Sequence, residues 1–194
     1  MKRFLVIFLI TVAVSFVAKS QEHSRPSSVP TPTPRSVPTP TPSLVPDGWV
    51  NFTSDVGRFN VLLPETPTDK TETVQSEHGP YTTHLFVVRG PKSIFLVGWV
   101  DYDPKFNFSV SGEMNLNRDN FIKGVNAKLV NNKDVTLDGY QAIEFTAETP
   151  QTLFKSRVYM VGRRPYQLVS GTPIGVDDSI NVDRFFNSFK VRLR

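Results

Sequence analysis

The chain has 194 residues, with 22 Lys and Arg against 18 Asp and Glu, 16 prolines and no cysteine. That length suits one globular domain with appendages. The missing cysteine excludes disulfides, thiolate metal sites, a cysteine nucleophile and a lipid-modified cysteine anchor.

Met1-Lys2-Arg3 is a short positive start, and Phe4 to Ala18 follows as an apolar run broken by Thr11 and Ser15. Ala18-Lys19-Ser20 then sets small residues at the −3 and −1 positions of a cleavage site before Gln21. This is the layout of a secretory signal peptide over residues 1–20. An uncleaved anchor is the alternative, although a bilayer span needs ~20 apolar residues. Either reading exports the remainder, to the periplasm or beyond the cell.

Removing that segment changes the charge. Lys2, Arg3 and Lys19 leave with it and no acid does, so the formal +4 falls to +1. From Asp47 onward acids and bases balance at 17 each. A nucleic-acid binder carries a basic face or stripe. Here the basic residues are scattered apart from Arg163-Arg164, so a nucleic-acid partner is not expected, and membrane contact is expected only through an uncleaved anchor.

Residues 21–46 are a Pro/Thr-rich linker. Ser28 to Arg35 and Ser36 to Ser43 repeat one eight-residue unit, and eight of the prolines lie between Arg25 and Pro46. Alternating prolines fix φ and remove amide donors, so neither a helix nor a sheet ladder forms. An extended polyproline spacer can hold the body up to roughly 80 Å from its attachment point.

Residues 47–194 read as a single domain with room for a full core. Trp49-Val50-Asn51-Phe52 alternates as a strand, and Phe59, Val61 and Leu63 put an apolar face on a second, stopped by Pro64. Thr71 to Glu77 and Tyr81 to Arg89 predict two strands around a His78-Gly79-Pro80 turn. Ser93 to Tyr102 is apolar on both sides, with Ile94, Leu96 and Val100 on one face and Phe95, Val97 and Trp99 on the other. Such a strand belongs in the middle of a covered sheet.

The period then changes. Ser111 is placed to cap a helix carrying Met114, Phe121, Ile122 and Val125 on one face. Lys128 to Val135 and Tyr140 to Glu148 predict a hairpin around Asp138-Gly139. Leu153 to Val161 and Tyr166 to Ser170 predict another, turning over Gly162 to Pro165. Asp177 or Asp178 is placed to cap a second helix, with Val182, Phe185, Phe186 and Phe189 as its stripe. Lys190 to Leu193 closes as a short strand. The expectation is an α+β fold: an antiparallel sheet of about eight or nine strands with two helices packed on it.

Several of these segments, in order, resemble small exported bacterial proteins of the PsbP-like, Mog-type fold. They are Trp49 to Phe52 with Gly57 to Pro64, Leu137 to Phe145 around the glycine turn, Arg157 to Leu168, and Arg184 to Lys190. Pro165 departs from the pattern, standing where an apolar residue is expected before Tyr166. The resemblance implies the fold and, by analogy, a non-catalytic binding or assembly factor. It carries over no functional residues.

Chemistry-bearing motifs are sparse. Asp101 and Asp103 share a strand face, a geometry used by acid–base pairs and calcium sites. With His84 they could converge at one sheet end, which is the enzymatic alternative: a hydrolase or metal-dependent enzyme. No G-x-S-x-G elbow or His-rich ligand spacing supports it. Phe106 and Phe108 lie in a loop, either as partner anchors or tucked under the sheet. Arg163 and Arg164, at a hairpin tip, could meet an acidic partner or a lipid headgroup, or simply solubilise an edge. The expectation is a non-enzymatic module of the cell envelope that binds another envelope protein or a small ligand and needs no cofactor or metal.

Overall fold

The computed structural model describes residues 48–192. Residues 1–20, read as an export signal, and residues 21–46, read as a proline-rich linker, lie outside the described residues. Ten strands and two helices follow in the order β1 (Val50–Ser54), β2 (Phe59–Leu63), β3 (Thr68–Val74), β4 (Tyr81–Arg89), β5 (Ile94–Tyr102), α1 (Val110–Gly124), β6 (Lys128–Leu137), β7 (Tyr140–Glu148), β8 (Thr152–Val161), β9 (Arg164–Pro173), α2 (Ser179–Ser188) and β10 (Lys190–Val191). They form two sheets rather than one: three strands in the order β1-β2-β10, and seven in the order β3-β4-β5-β9-β8-β7-β6. Every pairing is antiparallel. Among the described residues no helix is long and apolar enough to cross a membrane.

The two apolar faces of β5 explain the layering. Strands buried on both sides must be covered on both sides. Helix α1 covers one face, setting Met114 and Phe121 against Ile143, Phe145, Val158 and Val169. The small sheet and α2 cover the other, setting Phe59, Val61, Phe185 and Phe189 against Val97, Trp99, Tyr166 and Leu168. The stripe read along α2 is the one that is buried, with Phe185 and Phe186 at 0% and 1% exposure. Asp138 and Gly139 both hold positive φ, at 52° and 81°, as a tight two-residue hairpin turn requires.

Three local expectations are corrected. The cap of α1 is Ser109, whose Oγ accepts the Gly112 N–H at 3.1 Å, because the helix already begins at Val110. Strand β3 starts at Thr68 and ends at Val74, since its pairing with β4 runs from Thr68↔Val87 to Val74↔Tyr81. The β8–β9 turn contains Gly162 and Arg163 alone, while Arg164 and Pro165 belong to β9. The β5–β9 pairing stops at Trp99↔Tyr166, one residue short of Pro165. A residue without an N–H cannot extend a ladder on both sides, so Pro165 marks where β5 and β9 part.

Helix α1 also buries an acid. Glu113 is 5% exposed; its Oε1 accepts from the Tyr102 hydroxyl and from Asn117 Nδ2, the latter at 2.8 Å. Burial outweighs these bonds and raises the Glu113 carboxyl above its ordinary value. Such a group stabilises the fold below the unfolded carboxylate pKa and loses that contribution as pH rises through the folded one. Glu113→Gln keeps an acceptor and loses the charge. Its urea midpoint is expected to match wild type near pH 4 and to exceed it increasingly toward pH 8. A constant difference across that range would show that the charge is not the cost.

Candidate functional site

The seven-stranded sheet ends, beyond the last β5–β9 pair, in a polar cluster. Pairing of β4 with β5 sets His84 opposite Trp99 and Thr82 opposite Asp101. His84 therefore stacks flat on the Trp99 indole, with ring centroids 4.3 Å apart and planes within 6°. Its Nε2 lies 3.4 Å from Asp101 Oδ2, and Trp99 Nε1 donates to that same oxygen at 3.1 Å. The other Asp101 oxygen, Oδ1, accepts from Arg164 Nε at 2.6 Å. Arg164 further donates to Val56 O at 3.0 Å, and the Tyr166 hydroxyl donates to Gly57 O at 2.8 Å. Together these bonds tie the small sheet's first turn to the end of the large sheet.

On the other side of His84, Nδ1 lies 3.1 Å from Thr71 Oγ1, its cross-strand partner on β3. Burial lowers the His84 pKa, and the attraction of Asp101 does not restore it. Burial therefore favours the neutral imidazole. Thr71, His84, Phe86 and Trp99, with Asp55 and Asp69, line a cavity of about 320 Å³.

The sequence-predicted residues divide. His84, Asp101 and Arg164 come together. Asp103 does not join them: its Oδ1 accepts the Lys105 N–H at 2.8 Å, and its backbone follows the Gly79-Pro80 turn. Phe106 and Phe108 tuck against the sheet. Phe106 lies 4.8 Å from Tyr102 and 6.2 Å from Tyr81, while Phe108 lies 5.1 Å from Tyr102, ring centre to ring centre. Arg163 holds that loop down, donating to Phe106 O and covering the Phe108 ring with its guanidinium at 5.1 Å. It is a clamp as well as an edge charge.

An open cleft of about 410 Å³ lies between the end of β5, the β8–β9 turn and the segment after β10. Its walls combine Val100, Val161 and Val191 with four arginines, Arg58, Arg163, Arg164 and Arg192. Sequence reasoning missed Arg58, Arg192, Thr71 and Trp99. Arg58 and Arg192 belong to the small sheet and its flank, where Arg192 N donates to Arg58 O at 2.8 Å. Nothing local to either position signals that they meet Arg163 and Arg164. Thr71 could be found from a correct β3–β4 register, which sets it opposite His84.

The fold and the cleft define a class: a two-sheet antiparallel α+β module of the PsbP-like fold with a basic pocket at one sheet end. The solution structure of cyanobacterial PsbP (CyanoP) from Synechocystis sp. PCC 6803 is similar to it, with a TM-score of 0.52 over 79% of this chain and 98% of that one, at 12% identity. At that identity the likeness establishes the fold. No family model matches the chain, and no curated protein does.

Proposed function

We propose that the protein is an exported, non-enzymatic binding or assembly module of the cell envelope, carried on a proline spacer, with the four-arginine cleft as its binding surface. The observation that carries this reading is the state of the cleft. It is open, mixes apolar and cationic walls, and has a volume in the range of small-molecule sites, about 300–1,000 Å³. Its partner is another envelope protein or a small ligand. The export segment and spacer support display away from a surface.

One observation favours a second reading. Thr71 hydroxyl, His84 imidazole and Asp101 carboxylate follow one another in the order of a nucleophile, base and orienting group. Against it, both Asp101 oxygens are also held by Trp99 and Arg164. Asp101 thereby fixes the join between the sheets as well as facing the imidazole.

The test uses the mature chain beginning at Gln21, immobilised and exposed to a solubilised envelope fraction. A bound component is expected on wild type and lost from Pro104→Trp, which fills the cleft mouth from an exposed turn. Hydrolysis of p-nitrophenyl acetate that is lost in both His84→Ala and Thr71→Ala, with nothing retained by the cleft, would replace this reading with the enzymatic one. N-terminal sequencing of the exported protein is expected to start at Gln21; an intact Met1 in the membrane pellet would make the segment an anchor.

A further inference from the structure

The cleft holds more positive charge than its own neighbours neutralise. Arg164 is paired with Asp101 and Arg192 with Asp55 at 2.5 Å. Arg163 donates to backbone carbonyls of Phe106 and Asp103, which are neutral partners. The exposed Arg58 guanidinium makes no ion pair or hydrogen bond among the described residues. Arg192 Nε is buried with no hydrogen-bond partner among the described residues. Among the described residues, two guanidinium charges thus have no ionic partner and one buried donor is unused.

This arrangement costs stability as it stands. Like charges converging in a partly enclosed space repel, and a buried donor without an acceptor carries its full desolvation penalty. The domain from Asp47 onward is neutral overall, so the local excess is not a sample of a basic surface. A cleft with low-dielectric walls focuses such a field on its interior. An oxyanion answers both deficits: its charge offsets Arg58 and Arg163, and its oxygens accept from a donor such as Arg192 Nε. Guanidinium groups suit carboxylate and phosphate oxygens because their planar forks donate two parallel bonds. Val161 and Val191, on the same walls, suit an apolar body attached to the anionic head.

We infer that the cleft lined by Arg58, Arg163, Arg164 and Arg192 binds an organic anion, a phosphate or carboxylate head on a small apolar body. This deepens the binding reading above and rests on it. The head could belong to a free small molecule or to a lipid, and the experiment separates the two.

Phenyl phosphate is titrated into the mature chain and followed by NMR and calorimetry. Saturable binding is expected, with shifts at Arg58, Val161 and Val191, and weakening between 0.05 and 0.5 M NaCl, since added salt at roughly this range shortens the Debye length from above 10 Å to about 4 Å. Loss of one charge-assisted contact in Arg58→Gln or Arg192→Gln is expected to weaken binding about tenfold. Lys92→Gln, whose amine reaches Asp177 O at 3.0 Å away from the cleft, is expected to bind as wild type. The Arg58 guanidinium makes no hydrogen bond or ion pair among the described residues, and its substitution leaves the backbone bond from Arg192 N in place, so this variant separates binding from stability; thermal melts of each variant check this.

Phosphatidylglycerol vesicles that sediment the protein and displace phenyl phosphate identify a lipid head. Vesicles without effect identify a free anion. Binding of benzyl alcohol as tight as phenyl phosphate would overturn the inference, and so would arginine variants that bind like wild type or no saturable binding at all. If phenyl phosphate fails while envelope capture still depends on an open cleft mouth, the anion inference falls and the binding reading stands.

Discussion

Phe59→Ala is expected to lower the unfolding free energy by about 3–5 kcal/mol, the cost of truncating a fully enclosed aromatic. Phe59 is 0% exposed. Its ring meets those of Phe52, Phe86, Trp99, Tyr166 and Phe189 at centroid separations of 5.4 to 6.3 Å. Those partners come from β1, β4, β5, β9 and the end of α2, so one side chain fills the junction of both sheets and the helix. Neighbours belonging to several elements cannot all move in to close a hole, and the cavity term is then large. Total stability of a domain is about 5–15 kcal/mol, so this loss is a major share. Chemical denaturation measures it, and the thermal midpoint is expected to fall by about 6–20 °C for a domain of this size. Phe106→Ala, in the half-buried loop, is the comparison and is expected to cost less than half as much. A loss below about 1 kcal/mol for Phe59→Ala would mean that the site collapses and that the small sheet is not anchored through this ring.

The second large effect concerns the charged ladder across β6, β7 and β8. Glu144 stands opposite Lys133 on one side and Arg157 on the other. Lys133 Nζ lies 2.8 Å from Oε1, and Arg157 Nε lies 2.6 Å from Oε2. The Glu144 and Arg157 side chains are each 15% exposed. Arg157 also donates to Phe186 O at 3.3 Å and covers the Phe186 ring at 5.0 Å. Removing one member of a buried pair costs about 3–5 kcal/mol because the other charge is stranded. Water reaches this pair at one edge, so Glu144→Ala is expected to cost about 2–3 kcal/mol. The double variant Glu144→Leu with Arg157→Met removes both charges and is expected to be more stable than either single variant. Additive losses in that cycle would show that the pair is not coupled.

The same ladder sets an acid dependence. Burial alone would raise the Glu144 carboxyl, but hydrogen bonds from Lys133 and Arg157 outweigh it and hold the carboxyl below its ordinary value. A depressed carboxylate stabilises the fold above its unfolded pKa of about 4.3 and loses that contribution as pH falls through the folded value. Wild type should therefore lose stability on acidification below that point more steeply than Glu144→Ala. Equal slopes would remove Glu144 from the account.

Elements with a strong local period were legible in the sequence. The two faces of Ile94 to Tyr102, the stripe of α2 and the Asp138-Gly139 turn all follow from neighbours within a few residues. The α1 cap was displaced by two residues because both Ser109 and Ser111 carry a suitable hydroxyl, and only the path of the loop from Asp103 selects one. Of the site, His84 and Asp101 were visible as residue types. Their contact required the β4–β5 register, and a shift of one residue would have turned His84 to the other face.

The sequence alone determined a cysteine-free body that depends on an aromatic core, a neutral charge balance from Asp47 onward, and an antiparallel α+β architecture. Each follows from composition or from periodicity along a short stretch, where neighbours in the chain are neighbours in space. The tertiary structure alone decided that the strands divide into two sheets. It also decided that β5 pairs with β9 until Pro165 ends the ladder, and that Arg58 and Arg192 of the small sheet face Arg163 and Arg164 of the large one. Residues far apart in the chain meet there: Val56 and Gly57 hydrogen-bond Arg164 and Tyr166 across more than a hundred positions. Packing of one apolar face against another sets them, and no local pattern of side chains records which distant partner a face will meet.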